Sequence, residues 1–182
     1  MDSAPQQLIE PLDELMAALD SLTAMLDRRP DFGSMLQTVC AHAVQVVPRA
    51  DVASITLIRD GAPNTVASTD RRAAEFDQEQ YRVGDGPCLR AARTGRPQNA
   101  GPGSAAKQWP EFAAAAGHHG VTSFLSVPLT VDEEVSGALN LFCFGGDEFE
   151  DFEVKLLELY TATVVFGLRS ARRYLHQDEP AS

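Results

Sequence analysis

Basic residues are scarce in this chain: 15 Lys and Arg stand against 26 Asp and Glu in 182 residues, a formal net charge of −11. That balance repels nucleic acid and anionic membrane surfaces, so no direct nucleic-acid partner is expected. No apolar run approaches the roughly 18 residues a membrane span needs, and Met1-Asp2-Ser3 places no basic region before a hydrophobic stretch. No membrane partner is expected, and a cytoplasmic location is. Cysteines number 3, Cys40, Cys88 and Cys143, with no CxxC spacing, which predicts reduced thiols rather than a disulfide framework. Histidines are equally thin. His42, His118, His119 and His176 form no HExxH or Cys-His grouping, and the adjacent His118 and His119 point apart on any regular element, so no metal site is expected. GxSxG, a Walker-type loop and a dinucleotide fingerprint are missing too, and Gly84-Asp85-Gly86 is too short to replace them.

What is present describes an ordinary globular domain, 44% hydrophobic and 23% charged, with a surplus of chain for a helix or two outside the core. Leu8, Leu12, Leu15, Leu19, Leu22 and Leu26 recur at alternating spacings of four and three, one stripe of a helix. Pro11 suits a first turn, so the helix is predicted from near Pro11 to Arg28-Arg29, with Leu8 outside it. The stripe fits packing on its own domain or a seam with a second copy. Asp31 is a candidate N-cap for a second helix carrying Phe32, Met35, Leu36, Val39, Cys40, Ala43, Val46 and Val47.

From Val52 to Ile58 the β-branched residues predict a strand, paired across Asp60-Gly61-Ala62-Pro63 with a second from Asn64 to Thr69. Residues 70–80 suit a helix, Tyr81 to Pro87 a loop, and Pro87 to Thr94 a short helix ended by Gly95. Ala100 to Ala106 reads as a flexible excursion before a short helix that Trp109-Pro110 opens and His118-His119-Gly120 closes. Strands are predicted over Val121 to Thr130 and Val135 to Phe144, both with covered faces, followed by a helix from about Phe152 to His176. Its stripe is Leu156, Tyr160, Val164, Leu168, Ala171 and Leu175. The acidic Asp147 to Glu153 run and Arg169, Arg172 and Arg173 read as solvated charges at opposite helix poles.

Cys88 stands in the first turn of a helix, where the dipole favours a thiolate. A redox or nucleophilic role is one reading and a buried small hydrophobe the other. Asp85 nearby opposes activation.

Taken in order, Val66-Ala67-Ser68-Thr69-Asp70, Gly84-Asp85-Gly86-Pro87-Cys88-Leu89, Ser123 to Leu129, Gly137 to Phe142 and Phe149-Glu150-Asp151 resemble the GAF domain family, over roughly residues 31 to 172. They are most similar to GAF domains of actinobacterial signalling proteins, which often carry a C-terminal RNA-binding ANTAR domain; no such domain is expected here. The resemblance implies an α+β fold with a central antiparallel sheet of five or six strands, helices on one face, and N- and C-terminal helices on the other that commonly form a dimeric bundle. It further implies a small-molecule site between the sheet and the segment from about Tyr81 to His119. Candidate lining residues are Tyr81, Cys88, Leu89, Trp109, Phe112, Phe124 and Ser126.

A homodimer is accordingly expected through Leu12, Leu15, Leu19, Leu22, Leu26, Val164, Leu168 and Ala171. Residues 1–30 form the dimerising helix, 31–176 the GAF-like sensor and 177–182 a disordered tail. The chain is expected to work as a stand-alone signalling sensor in transcription regulation, with an unknown ligand or cofactor and a partner signalling protein, and not as an enzyme. A ligand-free dimerisation scaffold is the alternative. Asn140, Phe144, Asp147 and Glu148 echo the signature of cyclic-nucleotide-binding members, but no lysine follows Asn140. Cys88 also matches the loop cysteine of members resembling free methionine sulfoxide reductase, whose second cysteine has no counterpart in Ala116-Gly117-His118-His119.

Overall fold

The computed structural model describes residues 3–177, with side chains from 6 to 170. Most of the expected tail, residues 178–182, and the Ala171 side chain lie outside the described residues. The element order is α1 (Ser3–Asp27), α2 (Phe32–Val46), β1 (Val52–Arg59), β2 (Ala62–Ser68), α3 (Arg71–Val83), α4 (Pro87–Thr94), β3 (Gln98–Ala100), α5 (Pro102–Gln108), α6 (Pro110–His118), β4 (Ser123–Pro128), β5 (Val135–Cys143) and α7 (Asp151–Gln177). The strands form one antiparallel sheet in the order β2-β1-β5-β4-β3, the α+β arrangement expected.

Period-two alternation divides the sheet into two faces. Ala53, Ile55, Leu125, Val127, Leu139 and Leu141 point into one core with α1, α2 and α7. Val52, Phe124 and Phe142 point the other way, under α3, α5 and α6, while Ala138 packs on α4. β5 closes tightly on β1 because Gly137 has no side chain; a Cβ there would strike the Thr56 carbonyl oxygen.

Local signals explain several ends. The Asp31 carboxylate accepts the Ser34 amide and caps α2. Asp60 and Gly61, at φ 52° and 75°, form the two-residue turn between β1 and β2, so Ala62 and Pro63 belong to an edge strand rather than the turn. α3 runs on through Tyr81 to Val83 and stops at Gly84 in the left-handed region, where a loop was predicted. The flexible excursion expected from Ala100 to Ala106 instead starts on the last residue of β3 and runs into α5, elements of three and seven residues too short to give a periodic pattern.

Two corrections concern the ends of the chain. α1 begins eight residues before Pro11 and includes Leu8; Pro11 loses the hydrogen bond its own N–H would make and crowds the Gln7 carbonyl, and the helix continues through it. The leucine stripe is also largely satisfied inside the chain. Leu15 and Leu22 are buried with Val164 and Leu168 in the α1/α2/α7 core, and Leu19 and Leu26 pack against it. Leu26 meets α7 where Gly167 leaves room for it. Among the described residues, the large apolar side chains this bundle leaves exposed are Leu8, Ile9, Leu12 and Met16 on α1, Phe32 on α2, and Leu159 and Phe166 on α7.

The long helix is pinned by more than its stripe. Arg169, expected to be solvated, donates through Nε to the Val131 carbonyl and through Nη2 to Thr130, both at 2.9 Å, fastening α7 to the β4–β5 connection. His42 Nδ1 lies 2.8 Å from the Tyr160 hydroxyl, joining α2 to α7. Burial lowers the histidine's pKa.

Candidate functional site

Register places a row of polar residues across the face of the sheet that α3 and α4 cover. Ser54 of β1 pairs with Asn140 of β5, Asn140 with Ser126 of β4, and Ser126 with Gln98 of β3. Ser54, Asn140 and Ser126 are buried. Strand neighbours two residues apart share a face, so Thr56 joins Ser54 on this side. Asn140 Nδ2 donates to Ser54 Oγ at 3.2 Å and Thr56 Oγ1 at 3.1 Å.

From above, α3 lowers polar groups onto this row. Ala73, Phe76, Asp77 and Gln80 are its buried face, a helical spacing in which two positions out of four are polar. The Asp77 carboxyl is fully buried, accepting from Thr65 Oγ1 at 2.9 Å and lying 3.5 Å from Asn140 Nδ2. The Tyr81 hydroxyl sits 2.7 Å from Thr56 Oγ1 and 3.0 Å from Thr65 Oγ1. With no cation among these partners, burial pushes the Asp77 carboxyl up to about 7. Burial raises the Tyr81 hydroxyl and the Cys88 thiol too, with the nearby Asp77 charge as the next cause.

Gln80 joins α3 to α4. The N-cap of α4 is Gly86, which has no side chain to offer the orphan amides of the first turn. Gln80 Oε1 accepts the Cys88 amide at 2.8 Å instead. The Gln80 side chain fills the space beside Gly86 so closely that a Cβ on Gly86 would lie 2.5 Å from its Cγ. Cys88 is thereby anchored at the helix start, completely buried, with its thiol disfavoured as a thiolate. The small-hydrophobe reading of Cys88 is the one its surroundings fit.

Two buried polar atoms of this cluster have no partner among the described residues, Asn140 Oδ1 and Gln80 Nε2. One is an acceptor and the other a donor. Each such atom costs about 1–3 kcal/mol relative to a satisfied one. Trp109 Nε1 is a third unpartnered atom, elsewhere in the fold.

The seven lining residues expected from the sequence fall into two groups. Tyr81 and Ser126 belong to the polar cluster, and Cys88 and Leu89 pack together beside it with Ala91 and Ala138. Trp109, Phe112 and Phe124 lie in a separate aromatic core with Phe76 and Phe142, where the Phe112 and Phe124 rings are 4.9 Å apart. The Arg90 guanidinium covers Trp109 at 4.8 Å while pairing with Asp85 at 2.8 Å. A small apolar cavity of about 300 Å³ opens at the margin of this core, between α5, α6 and β4, with Phe124 on its wall.

Sequence reasoning missed Asp77, Gln80, Ser54, Thr56 and Thr65. The signal for the first two was the helical spacing Ala73, Phe76, Asp77, Gln80 within a polar segment. For the strand residues only register supplies it. Asn140 was noticed, but as the start of a signature. Phe144 instead stacks under Arg72 at 4.6 Å, and Asp147 and Glu148 offer backbone carbonyls to Arg49.

Known proteins with this architecture span several activities. The GAF domain of a phosphoenolpyruvate-protein phosphotransferase from Coxiella burnetii superposes with a TM-score of 0.65 at 17% identity, covering 88% of this chain and 96% of its own. The phycoerythrobilin-bound GAF domain of a cyanobacterial phytochrome gives 0.68 at 11% identity, covering 89% and 98%. The fRMsr of Staphylococcus aureus in complex with substrate gives 0.66 at 16% identity, covering 85% and 95%. At these identities they share the fold. No curated protein matches the chain. The GAF domain family itself matches residues 30–169, from just before α2 to the Arg169 clamp on α7, and the chain belongs to that family.

Proposed function

We propose that this chain is a sensory or regulatory module that takes a small molecule at the polar cluster between the sheet and α3/α4 and pairs with a second copy through its terminal helices. The observation that carries the reading is the pair of complementary unpartnered atoms, Asn140 Oδ1 and Gln80 Nε2, inside a buried network that an apolar core would replace without loss. A molecule offering one donor and one acceptor satisfies both. The phycoerythrobilin-bound phytochrome domain and the fRMsr complex with substrate support the capacity of the fold for this use. The motif run similar to actinobacterial signalling proteins supports a regulatory output through a partner protein, with transcription regulation as its field.

The dimer reading now rests on the exposed Leu12 and Met16 of α1 and Leu159 and Phe166 of α7, 41%, 62%, 58% and 73% exposed. Ligand binding then acts by favouring one packing of these helices over another. A non-enzymatic role accords with the buried, un-ionised Cys88. Native mass spectrometry of freshly purified protein tests the whole reading: a dimer with added small-molecule mass is expected. A bare monomer refutes the pairing, and a protein that binds no small molecule from a metabolite pool refutes the sensor. The close filling of the cluster by its own side chains favours a second reading, a ligand-free scaffold, for which a bare dimer is the signature.

A further inference from the structure

Asp77 is the only Asp or Glu among the described residues that is buried, and its hydrogen-bond partners are neutral. Thr65, Tyr81 and Thr56 extend from it as a chain of hydroxyls, at 2.9, 3.0 and 2.7 Å in turn. Each hydroxyl has one proton to give, so the direction of the chain depends on whether Asp77 carries one. When it does, Asp77 donates to Thr65, Thr65 to Tyr81 and Tyr81 to Thr56. Without it, the chain runs the other way, from Thr56 through Tyr81 and Thr65 to the carboxylate, which Ser54 also hydrogen-bonds, and a full charge lies in the interior with no cation opposite.

We propose that Asp77 is a proton-operated latch holding α3 on the sheet: protonated, it keeps α3 closed over the Ser54–Asn140–Ser126 row, and ionised, it draws water in past half-buried Tyr81 and Thr65 and loosens the helix. The inference deepens the sensory reading of this cluster and rests on it, since the latch sets when the site is open. The titratable groups facing Asp77 are Tyr81 on α3, Cys88 on α4 and Cys40 on α2, and at the end of α6 the His119 ring lies 6.0 Å from that of Phe76, the residue before Asp77; β1, β2 and β5 present Ser54, Thr56, Thr65 and Asn140, which do not titrate. Burial pushes Tyr81 and both thiols above their ordinary values, so between about pH 5 and pH 9 Asp77 changes charge and these three do not.

The test uses the full chain labelled with ¹³C at its Asp carboxyls. NMR follows each carboxyl from about pH 5 to pH 9, while hydrogen exchange follows residues 71–83 with intrinsic rates divided out. One Asp resonance is expected to titrate near neutrality, and α3 protection to fall roughly tenfold or more along the same curve. In Asp77→Asn that resonance and the pH dependence both vanish. The wild-type measurement stands by itself if the variant fails to fold. An Asp77 that titrates below about pH 5, or α3 protection that ignores its ionisation, overturns the latch. A pH-driven opening in a protein that binds no small molecule keeps the latch and refutes the sensor, whereas ligand binding with a pH-flat α3 does the reverse.

Discussion

Gly86→Ala is a small change with a large expected consequence. Its φ of 161° is extended backbone open to any residue, so no conformational penalty attaches to the alanine. The cost is steric: the new Cβ would lie 2.5 Å from Gln80 Cγ and 2.8 Å from Cδ, distances that real contacts do not reach. Gln80 is fully buried between α3 and α4 and must be displaced, which breaks its bond to the Cys88 amide. Leaving that amide unsatisfied costs about 1–3 kcal/mol, and forcing a side chain off its rotamer in a packed interior about 1–3 more. Gly86→Ala should therefore lose about 2–6 kcal/mol in urea or thermal unfolding. Gln80→Ala orphans the same amide but removes the unpartnered Nε2 with it, so it should lose less than Gly86→Ala. The decisive measurement is the double variant. With Gln80 truncated the alanine methyl has room, so adding Gly86→Ala to Gln80→Ala should cost less than about 1 kcal/mol, a coupling well beyond additivity. Additive losses would refute the cap.

Other perturbations reach different parts of the fold. Arg169→Ala removes two bonds to the Thr130 and Val131 carbonyls and should cost about 1–2 kcal/mol, with faster hydrogen exchange in the β4–β5 connection as its local signature. Of the three thiols, Cys40 and Cys88 are fully buried and Cys143 is 8% exposed, so iodoacetamide on the native protein should label Cys143 first; labelling of Cys88 first would restore a reactive role for it. Two buried groups should tilt stability in opposite directions. The raised Asp77 pKa gives stabilisation that is complete below about pH 4 and lost as pH rises through about 7, while the lowered His42 pKa gives stabilisation lost as pH falls below about 6.5. Asp77→Asn should remove the fall in stability between about pH 4 and about pH 7, and His42→Gln the opposing rise that ends near pH 6.5, in unfolding midpoints taken across that range. Phe166→Glu and Leu12→Glu, at exposed sites, should abolish a dimer seen by light scattering and leave the melting temperature within a few degrees. Leu15→Glu should instead unfold the chain, because Leu15 is in the core.

Much of the architecture was legible because it follows from short-range rules. Helices α2 and α7, the β1–β2 pair and strands β4 and β5 declared themselves through period, capping and turn residues, each of which acts over a few positions. β3 and α5 did not, since three and seven residues carry too little pattern and form only when β4 and α6 supply their other walls. The candidate site was half visible. Cys88, Leu89 and Ser126 were found by their place in a motif and Tyr81 by its segment of chain, whereas Trp109 and Phe112 of that segment and Phe124 of a motif pack in another core.

The sequence by itself determined most of the helical and extended segments, where several of them stop, and which stripes must be covered. Only the tertiary structure decided what covers them. A leucine stripe at spacings of four and three is the same whether its partner is a second copy or the chain's own α2 and α7, because periodicity fixes a face and not its neighbour. The buried Leu15 and Leu22 and the close Leu26–Gly167 contact give much of that face to the chain itself. Likewise the Asp77–Thr65–Tyr81–Thr56 chain joins residues up to 25 positions apart, and Asn140 meets Ser54 across 86. Strand register and the angle at which α3 lies on the sheet set those meetings, and both are fixed by packing over the whole domain.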